Sequence, residues 1–228
     1  MATKVLSAAV IGLDAELVEV EADLLNQLPS MAIVGLPDKA VEESKERVKS
    51  AIKNSGIDFP RKKVTINLAP ADVKKEGPSY DLPIAVSVLL SMNMLNLPQE
   101  WDKILFVGEL ALDGSLRTVS GVIAIALMAK AKGIQSLYLP KINADEAGLI
   151  DGIDIYGVES LHQLISHFKG MSQILSHERA DIVSIFATDD ESEFDIGYVK
   201  GQESVKRCLE IAAAGGHNIL MFGTISSV

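Results

Sequence analysis

The stretch from residue 67 to residue 90 constrains the fold of this 228-residue chain more than any other. It completes an alternating strand that starts at Lys63, passes through a loop rich in proline and glycine, and enters an apolar run at Leu82. Pro83 falls in the first turn of this run, where a missing amide hydrogen does least harm to a helix. The pattern therefore predicts a strand, a loop and then a helix from about Leu82 to Asn93.

Two polar residues, Ser79 and Asp81, stand close to the start of this helix. Either side chain could accept a hydrogen bond from the free amides of the first turn. A nucleophilic role for Ser79 is the alternative, and it requires a base close by. The four histidines lie late in the sequence, and we expect Lys74 and Lys75 to lie in an exposed loop, where a lysine stays protonated. Capping or turn geometry is therefore the favoured role of Ser79.

The rest of the first 169 residues alternates between strand and helix patterns. Early strand patterns are followed by a helix from Asp38, which Asn54-Ser55-Gly56 ends, and Asp113-Gly114 marks a later hairpin. The predicted strands are 4–11, 16–23, 30–35, 63–68, 104–110, 136–139 and 154–157, and the later helices are 121–131, 144–149 and 160–168. Hairpin strands followed by alternating strands and helices predict an α+β fold with mixed α/β layers.

Residues 170–196 differ in composition from the preceding sequence. Because a dense acidic run occupies 189–193, we expect this segment to form an exposed linker. A helix pattern at 202–214 and a buried strand pattern at 218–222 follow, and the strand leads into Gly223. A new unit therefore starts close to the end of the linker.

A buried strand that runs into glycine is how a phosphate-binding P-loop starts. That motif continues with four residues, a second glycine, a lysine and a serine or threonine. Here Val228 occupies the position of the second glycine, and no lysine follows Gly223. As written, the chain is not expected to bind nucleotide through this loop, which indicates either an interrupted longer protein or a strand that merely belongs to a core.

The charge of the chain is unevenly distributed. Its formal net charge of −10 argues against a protein that coats nucleic acid with its whole surface. Residues 45–75 nevertheless contain nine basic residues and three acidic ones. A local basic face and an ordinary solvated surface are the two interpretations of this segment.

Cysteine and histidine usage excludes several kinds of site. The single cysteine, Cys208, excludes an internal disulfide, and the four histidines lack the paired spacing of zinc ligands, so we expect no structural metal. The apolar runs are too short to span a bilayer, and residues 1–10 lack the pattern of a signal peptide. We therefore expect a cytoplasmic protein with no membrane partner.

Six segments stand out when they are taken together and in order. They are IVGLPDKAVEES at 33–44, NLAPAD at 67–72, KEG at 75–77, DLPIA at 81–85, GELALDGSLR at 108–117 and GHNIL at 216–220. These segments closely resemble the ComM/YifB group of magnesium-chelatase-like AAA+ ATPases. The resemblance implies a Lon protease domain-like fold for residues 1–169, a fold also seen as domain 2 of a small-subunit ribosomal protein. It further implies an acidic linker at 170–196 and the incomplete strand-helix start of an AAA+ domain at 197–228.

The resemblance also implies a function for the longer parent protein. Proteins of this group resemble ring-forming ATPases, and ComM-type members are understood to drive branch migration of DNA during natural transformation. The parent is therefore expected to bind ATP and Mg²⁺, whereas this chain as given is expected to bind neither, because the nucleotide loop that starts at Gly223 is incomplete. The partners that the resemblance implies are DNA, the protein's own AAA+ domain and further copies in a homo-oligomeric ring.

The Lon-like part departs from the Lon proteases at one of its two catalytic positions. Gly77-Pro78-Ser79 resembles the Lon nucleophile motif, but Ile123 occupies the position of the catalytic lysine. The resemblance therefore implies a non-proteolytic accessory domain, with Ser79 as a relic and no working catalytic residue. The candidate surface for DNA or a partner consists of Lys62, Lys63, Lys74 and Lys75. The alternatives are a divergent serine peptidase centred on Ser79 and a structural module for ring assembly.

Overall fold

The chain forms two compact units, Met1–Asp181 and Ile182–Val228, in the computed structural model. The structure describes residues 3–96, 98, 100–177 and 195–222. Within these ranges, no helix is both long enough and apolar enough to cross a membrane.

A seven-stranded mixed sheet forms the centre of the first unit. The strands are β1 (Thr3–Ile11), β2 (Asp14–Leu25), β3 (Ser30–Val34), β4 (Lys63–Ala69), β5 (Ile104–Phe106), β6 (Glu109–Leu110), β7 (Leu116–Arg117), β8 (Ser136–Pro140) and β9 (Asp154–Val158). The order in the sheet is β3-β4-β2-β1-β5-β8-β9, and β6 pairs with β7 in a separate hairpin. β2 runs antiparallel to β1 and β4, whereas the other neighbours in the sheet are parallel. The predicted mixed α/β fold is confirmed.

Helices cover both faces of this sheet. The α-helices are α1 (Lys39–Asn54), α2 (Asp81–Ser91), α3 (Val122–Ala131), α4 (Ala144–Ala147) and α5 (Leu161–Phe168) in the first unit and α6 (Glu203–Gly215) in the second. Because side chains alternate along a strand, Val5 and Ala9 of β1 join one hydrophobic cluster, whereas Leu6 and Ala8 join another. The first cluster includes residues of α1, α2 and α5, and the second includes residues of α3 and α4. The sheet is therefore the middle of three layers.

The local sequence accounts for the bounds of α1. The Asp38 side chain accepts a hydrogen bond from the backbone N–H of Val41, which is how an N-cap residue satisfies a free amide. The helix ends at Asn54, where the sequence predicts the stop, and Ser55 follows as its C-cap. Its buried residues are Val41, Ser44, Val48, Ala51 and Ile52. The helix predicted from Asp38 to this stop is confirmed.

The predicted strand at 104–110 is interrupted in its middle. Its first part is β5 and its last part is β6, which leaves the main sheet. Gly108 lies between them, and its N–H donates to the Ser79 carbonyl while its own carbonyl accepts from the Leu82 N–H. The backbone of Gly108 therefore bonds to the start of α2 and not to a neighbouring strand.

The predicted buried strand at 218–222 is wrong for the part of the chain that the structure describes. These residues have no strand conformation, and Leu220 and Phe222 are 78% and 90% exposed. A strand needs a hydrogen-bonded neighbour, and within the described ranges no segment pairs with this one.

Gly35, which follows β3, is the position where the fold tolerates a side chain least. Its φ is +101°, and a Cβ built on it would lie 2.0 Å from the carbonyl oxygen of Leu68 in β4. We expect Gly35→Ala to lower the free energy of unfolding by roughly 3 kcal/mol or more, because both the positive φ and the backbone clash oppose it.

Gly12→Ala is the matched control for this prediction. Gly12 also has a positive φ, of +64°, but a Cβ there would meet nothing within 4 Å. Gly12→Ala should lower the free energy of unfolding by about 1 kcal/mol, which is the cost of the left-handed backbone alone. Urea unfolding followed by circular dichroism measures both values. Equal losses would show that the contact with Leu68 does not restrict residue 35.

Candidate functional site

The loop between β4 and α2 is tied to the turn that connects β3 with α1. The Asp38 carboxylate accepts from Val41 N at 2.8 Å through one oxygen and from Gly77 N at 3.0 Å through the other. The N–H of Asp38 donates to the Lys75 carbonyl, and the N–H of Lys75 donates to the Leu36 carbonyl. Asp38 therefore caps α1 and fixes the loop with the same side chain.

Asp81 is a buried charged residue at the first position of α2. One carboxylate oxygen accepts from Arg47 Nε at 2.6 Å and from Leu110 N at 3.1 Å, and the other accepts from Arg47 Nη2 at 3.0 Å. The hydrogen bond with Asp81 raises the pKa of the Arg47 guanidinium, against the effect of burial. This carboxylate therefore holds α1, α2 and β6 together.

The sequence interpretation missed Arg47, although a signal for it exists. Arg47 comes three residues after Ser44 and four before Ala51, and both of these lie on the buried face of α1. A basic residue at that spacing lies next to the core, so its charge needs a partner.

Of the two structural roles predicted for Ser79, turn geometry is confirmed, whereas the predicted capping of α2 by Ser79 or Asp81 is wrong. The N-cap position is Tyr80, and no side chain makes a capping hydrogen bond there. Ser79 lies in a 3-10 turn, Pro78–Tyr80, and its carbonyl oxygen accepts from Gly108 N at 2.9 Å. Asp81 is turned toward Arg47 instead, since a buried carboxylate is stabilised more by a guanidinium than by one free amide.

Lys75 is completely buried, so the prediction that it lies in an exposed loop is wrong. Its Nζ donates to the carbonyl oxygen of Pro70. Burial lowers the pKa of the Lys75 amine, and the Asp72 carboxylate opposes that shift only in part. Lys74 lies on the surface as predicted, where it pairs with Glu76 at 2.5 Å. Lys75 therefore belongs to the interior and not to a contact surface.

Among the residues that the structure describes, no lysine amine or histidine ring is hydrogen-bonded to the Ser79 hydroxyl. Lysine amines and histidine rings there make other hydrogen bonds or none, and the one lysine buried in the same loop bonds to Pro70. Ile123 lies in the first turn of α3, where it is 40% exposed. A serine without a base is a weak nucleophile. The broken serine–lysine dyad stays a prediction, which labelling of Ser79 can test.

The four candidate lysines do not form one surface. Lys62 and Lys63 lie at the start of β4, whereas Lys74 and Lys75 follow its end. A strand rises about 3.3 Å per residue, so the length of β4 separates the two pairs by roughly 20 Å. The predicted surface is therefore divided between opposite ends of the sheet.

Two further basic residues, Lys53 in the last turn of α1 and Arg61 in the loop that follows, lie at the same end of the sheet as Lys62 and Lys63. A short loop joins the end of α1 to the start of β4, and it brings residues of both elements to one end of the sheet. We name this group the basic end cluster, and its members are Lys53, Arg61, Lys62 and Lys63. Lys53, Arg61 and Lys62 are exposed, and within the described residues none of the four has an ion-pair partner. The acidic residue of this loop is Asp58.

Two parts of the predicted organisation lie outside the described residues. Gly223, the start of the incomplete nucleotide loop, is one of them, and residues 178–194 of the predicted acidic linker are the other. Both interpretations stay predictions.

Comparison with known proteins gives two family matches. The family described as subunit ChlI of Mg-chelatase matches residues 20–143, and the family described as magnesium chelatase, subunit ChlI, matches residues 195–227. The first match covers more than half of the chain.

Individual relatives agree with these families. The chain is 42% identical to the protein YifB of Escherichia coli (strain K12) over 215 residues, which are 94% of this chain and 41% of that protein. It is 38% identical to the competence protein ComM of Haemophilus influenzae over 219 residues, which are 96% of this chain and 43% of that protein. The chain thus spans about two fifths of the length of these relatives.

A more distant similarity covers about half of the chain. The chain is 26% identical to the Lon protease of Mycoplasmopsis agalactiae over 128 residues, which are 54% of this chain and 12% of that protein. This similarity fits the Lon-like fold predicted from the sequence.

The buried amine of Lys75 predicts a pH-dependent effect of Lys75→Met. We expect this variant at about pH 7 to lose less than about 1 kcal/mol of stability, or to gain some, because a buried charge with one carbonyl partner contributes little. Because the folded protein lowers the pKa of Lys75, the unfolded chain binds more protons below about pH 10.5, so wild-type stability rises with pH through this window. The advantage of Lys75→Met should therefore shrink as the pH rises.

Urea unfolding at about pH 7 and about pH 9.5 measures this change. Lys74→Met is the matched control, since Lys74 is the exposed neighbour in the same loop. The difference in stability between Lys74→Met and the wild type should not change with pH in the way expected for Lys75→Met. A difference between Lys75→Met and the wild type that stays constant with pH would contradict a desolvated amine.

The missing base predicts that Ser79 is chemically unreactive. A fluorophosphonate reagent should not label the folded chain, because nothing described near Ser79 removes its proton. Mass spectrometry of the treated chain, beside a known serine hydrolase treated in the same way, checks this. Labelling of wild type that disappears in Ser79→Ala would establish the peptidase alternative.

Proposed function

Because this chain belongs to the ComM/YifB family of magnesium-chelatase-like AAA+ ATPases, we propose that its first unit is a non-proteolytic accessory domain that holds DNA for the motor of the longer protein. The name of the Haemophilus influenzae relative, a competence protein, supports a role in DNA uptake and processing. Branch migration during transformation is the specific activity that we propose for the parent.

The observation that carries the DNA half of this proposal is the basic end cluster. Several lysines near the surface are paired with a glutamate one turn away, as Lys45 is with Glu42 and Lys49 with Glu46. The cluster has no such neutralisation within the described residues, although the chain as a whole has a net charge of −10. Phosphate groups are the ligands that an unpaired set of lysines and arginines binds in a sequence-independent way.

The non-proteolytic half rests on the loop that contains Ser79. Its buried amine, Lys75, bonds to a carbonyl group, and Asp81 is occupied by Arg47 and Leu110. The Asp81 carboxylate is thus occupied by structural partners, and the Lys75 amine is hydrogen-bonded to a backbone carbonyl. In this proposal the Lon-like scaffold serves binding.

The remaining parts of the proposal concern the longer protein. We infer that it is a cytoplasmic ATPase that binds ATP and Mg²⁺ through its AAA+ domain, and that copies of it assemble into a ring. The match of residues 195–227 to the magnesium chelatase family supports this inference. In this arrangement the accessory domain supplies DNA contacts and the motor supplies the force.

Charge reversal in the longer protein tests the DNA contact. The variant Lys53→Glu/Arg61→Glu/Lys62→Glu should bind DNA more weakly. Its plot of log affinity against log salt should also be shallower by about one unit for each phosphate contact that is lost. Fluorescence anisotropy with labelled DNA at several salt concentrations measures both quantities.

Lys45→Glu/Lys49→Glu/Lys74→Glu is the matched control, since it makes the same change of charge at exposed lysines that are paired with glutamates. Sedimentation of both variants verifies that ring assembly is unchanged. Equal loss of affinity in the two variants would contradict a specific role for the basic end cluster, and unchanged affinity in the first would remove the DNA half of the proposal.

A further inference from the structure

Residues 171–177 follow α5 and form a strap that is docked on the first unit. Ile174 is buried in the larger hydrophobic cluster, with 5% of its surface exposed. The N–H of His177 donates to the carbonyl of Ile155 at 2.7 Å, which is a backbone bond to β9, the edge strand of the sheet. His177 Nε2 also lies 2.8 Å from a carboxylate oxygen of Asp145. The strap is therefore held by one apolar anchor and by bonds at its end.

The anchor of the strap is fixed by a histidine ring. The backbone N–H of Ile174 donates to Nδ1 of His167 at 3.0 Å, and Nε2 of the same ring lies 3.0 Å from the Tyr138 hydroxyl. A nitrogen that accepts a hydrogen bond has no hydrogen of its own, so the neutral ring must have its proton on Nε2 and donate it to Tyr138. The docked strap thus requires one particular protonation state of His167.

The surroundings of the ring favour that state. The ring packs against Phe168 of α5, Tyr138 of β8 and Tyr156 of β9, with centroids 5.0, 5.7 and 6.2 Å away. Burial lowers the pKa of His167, and within the described residues no carboxylate contacts the ring to stabilise its charged form. Asp145 of α4 is a carboxylate that contacts the strap, and its partner there is His177 and not His167.

Protonation of His167 would place a hydrogen on Nδ1. Two donors, Nδ1–H and the N–H of Ile174, would then face each other at a distance that now holds a hydrogen bond. A buried donor without an acceptor costs free energy, so the anchor would be lost. The ring protonates readily once the strap has left, because it then becomes hydrated.

We propose that His167 is a pH-sensitive latch, which keeps the strap docked while its imidazole is neutral and releases it on protonation. The docking free energy is fully present above about pH 6.5, the ordinary pKa of histidine, and is lost as the pH falls through the lowered pKa of the docked ring. Release frees residues 171–177, which can extend the chain that leaves the first unit by roughly 20 Å.

His177 is the other imidazole of the strap, and its Nε2 lies 2.8 Å from a carboxylate oxygen of Asp145. His177→Gln removes this imidazole and keeps the backbone bond to Ile155. The pH response of the strap should persist in this variant, because the latch is His167.

Amide hydrogen exchange on the full chain, measured by NMR, tests the latch. Between about pH 7.5 and about pH 5, exchange at Ile174, corrected for the intrinsic chemical rate, should accelerate by up to about tenfold for each pH unit between the ordinary histidine pKa of about 6.5 and the lowered pKa of docked His167, and should level off below it. The amide of Val20 in β2 should stay protected, which shows that the domain remains folded. The pH at which exchange levels off should coincide with the titration of the His167 ring protons.

His167→Asn supplies the matched variant, since the asparagine oxygen can accept a hydrogen bond near the position of Nδ1 but does not titrate. Exchange at Ile174 in this variant should no longer depend on pH after the same correction. His162→Asn, a change in the same helix at a histidine bonded to Ser55, should leave the response as in wild type. A pH response that persists in His167→Asn overturns the latch. So does an Ile174 amide in wild type that stays protected while His167 titrates, and this measurement needs no variant.

Discussion

The buried carboxylate of Asp81 is the constraint on which the arrangement of the first unit depends. It lies at the start of α2, whose next eight residues, 82–89, are all buried, so water cannot solvate its charge. Arg47 and the N–H of Leu110 replace that water. Because removing one partner of a buried pair costs about 3–5 kcal/mol, α1 and β6 must meet α2 at this point. The Arg47–Asp81 pair thus fixes how α1, α2 and the β6–β7 hairpin pack together.

The same region shows how a loop with catalytic residue types can serve stability alone. Ser79, Lys75 and Asp81 are residue types that hydrolases use, and all three lie within seven positions of the sequence. In the folded chain each has a structural partner: Ser79 bonds through its backbone to Gly108, and Lys75 bonds to Pro70. Chemical function needs free lone pairs and a mobile proton, whereas Asp81 accepts hydrogen bonds from Arg47 and Leu110 and Lys75 donates to a backbone carbonyl.

The basic end cluster and the strap are the two features of the first unit that our proposals connect with the longer protein. Exposed ion pairs such as Lys45–Glu42 contribute little to stability, but they cancel basic charge over α1. The basic end cluster, where α1 ends and β4 begins, has no such ion pairs among the described residues. The strap lies along β9 and α5, so the proposed DNA contact and the proposed latch involve separate residues.

The sequence by itself determined the identity and approximate bounds of most elements, because burial on one face of a helix or strand repeats with a local period. The start of α1 near Asp38, the apolar α2 and the family resemblance all come from short segments. Only the tertiary structure decided that Lys75 is buried, that Gly108 interrupts a strand, and that Lys62 and Lys74 lie at opposite ends of β4. Each of these depends on partners distant along the chain or on the direction of a whole element. The Arg47–Asp81 pair is another example of such distant partners. Local periodicity contains no information about such partners, since a hydrogen bond or a desolvated charge is set by what the folded chain brings beside it.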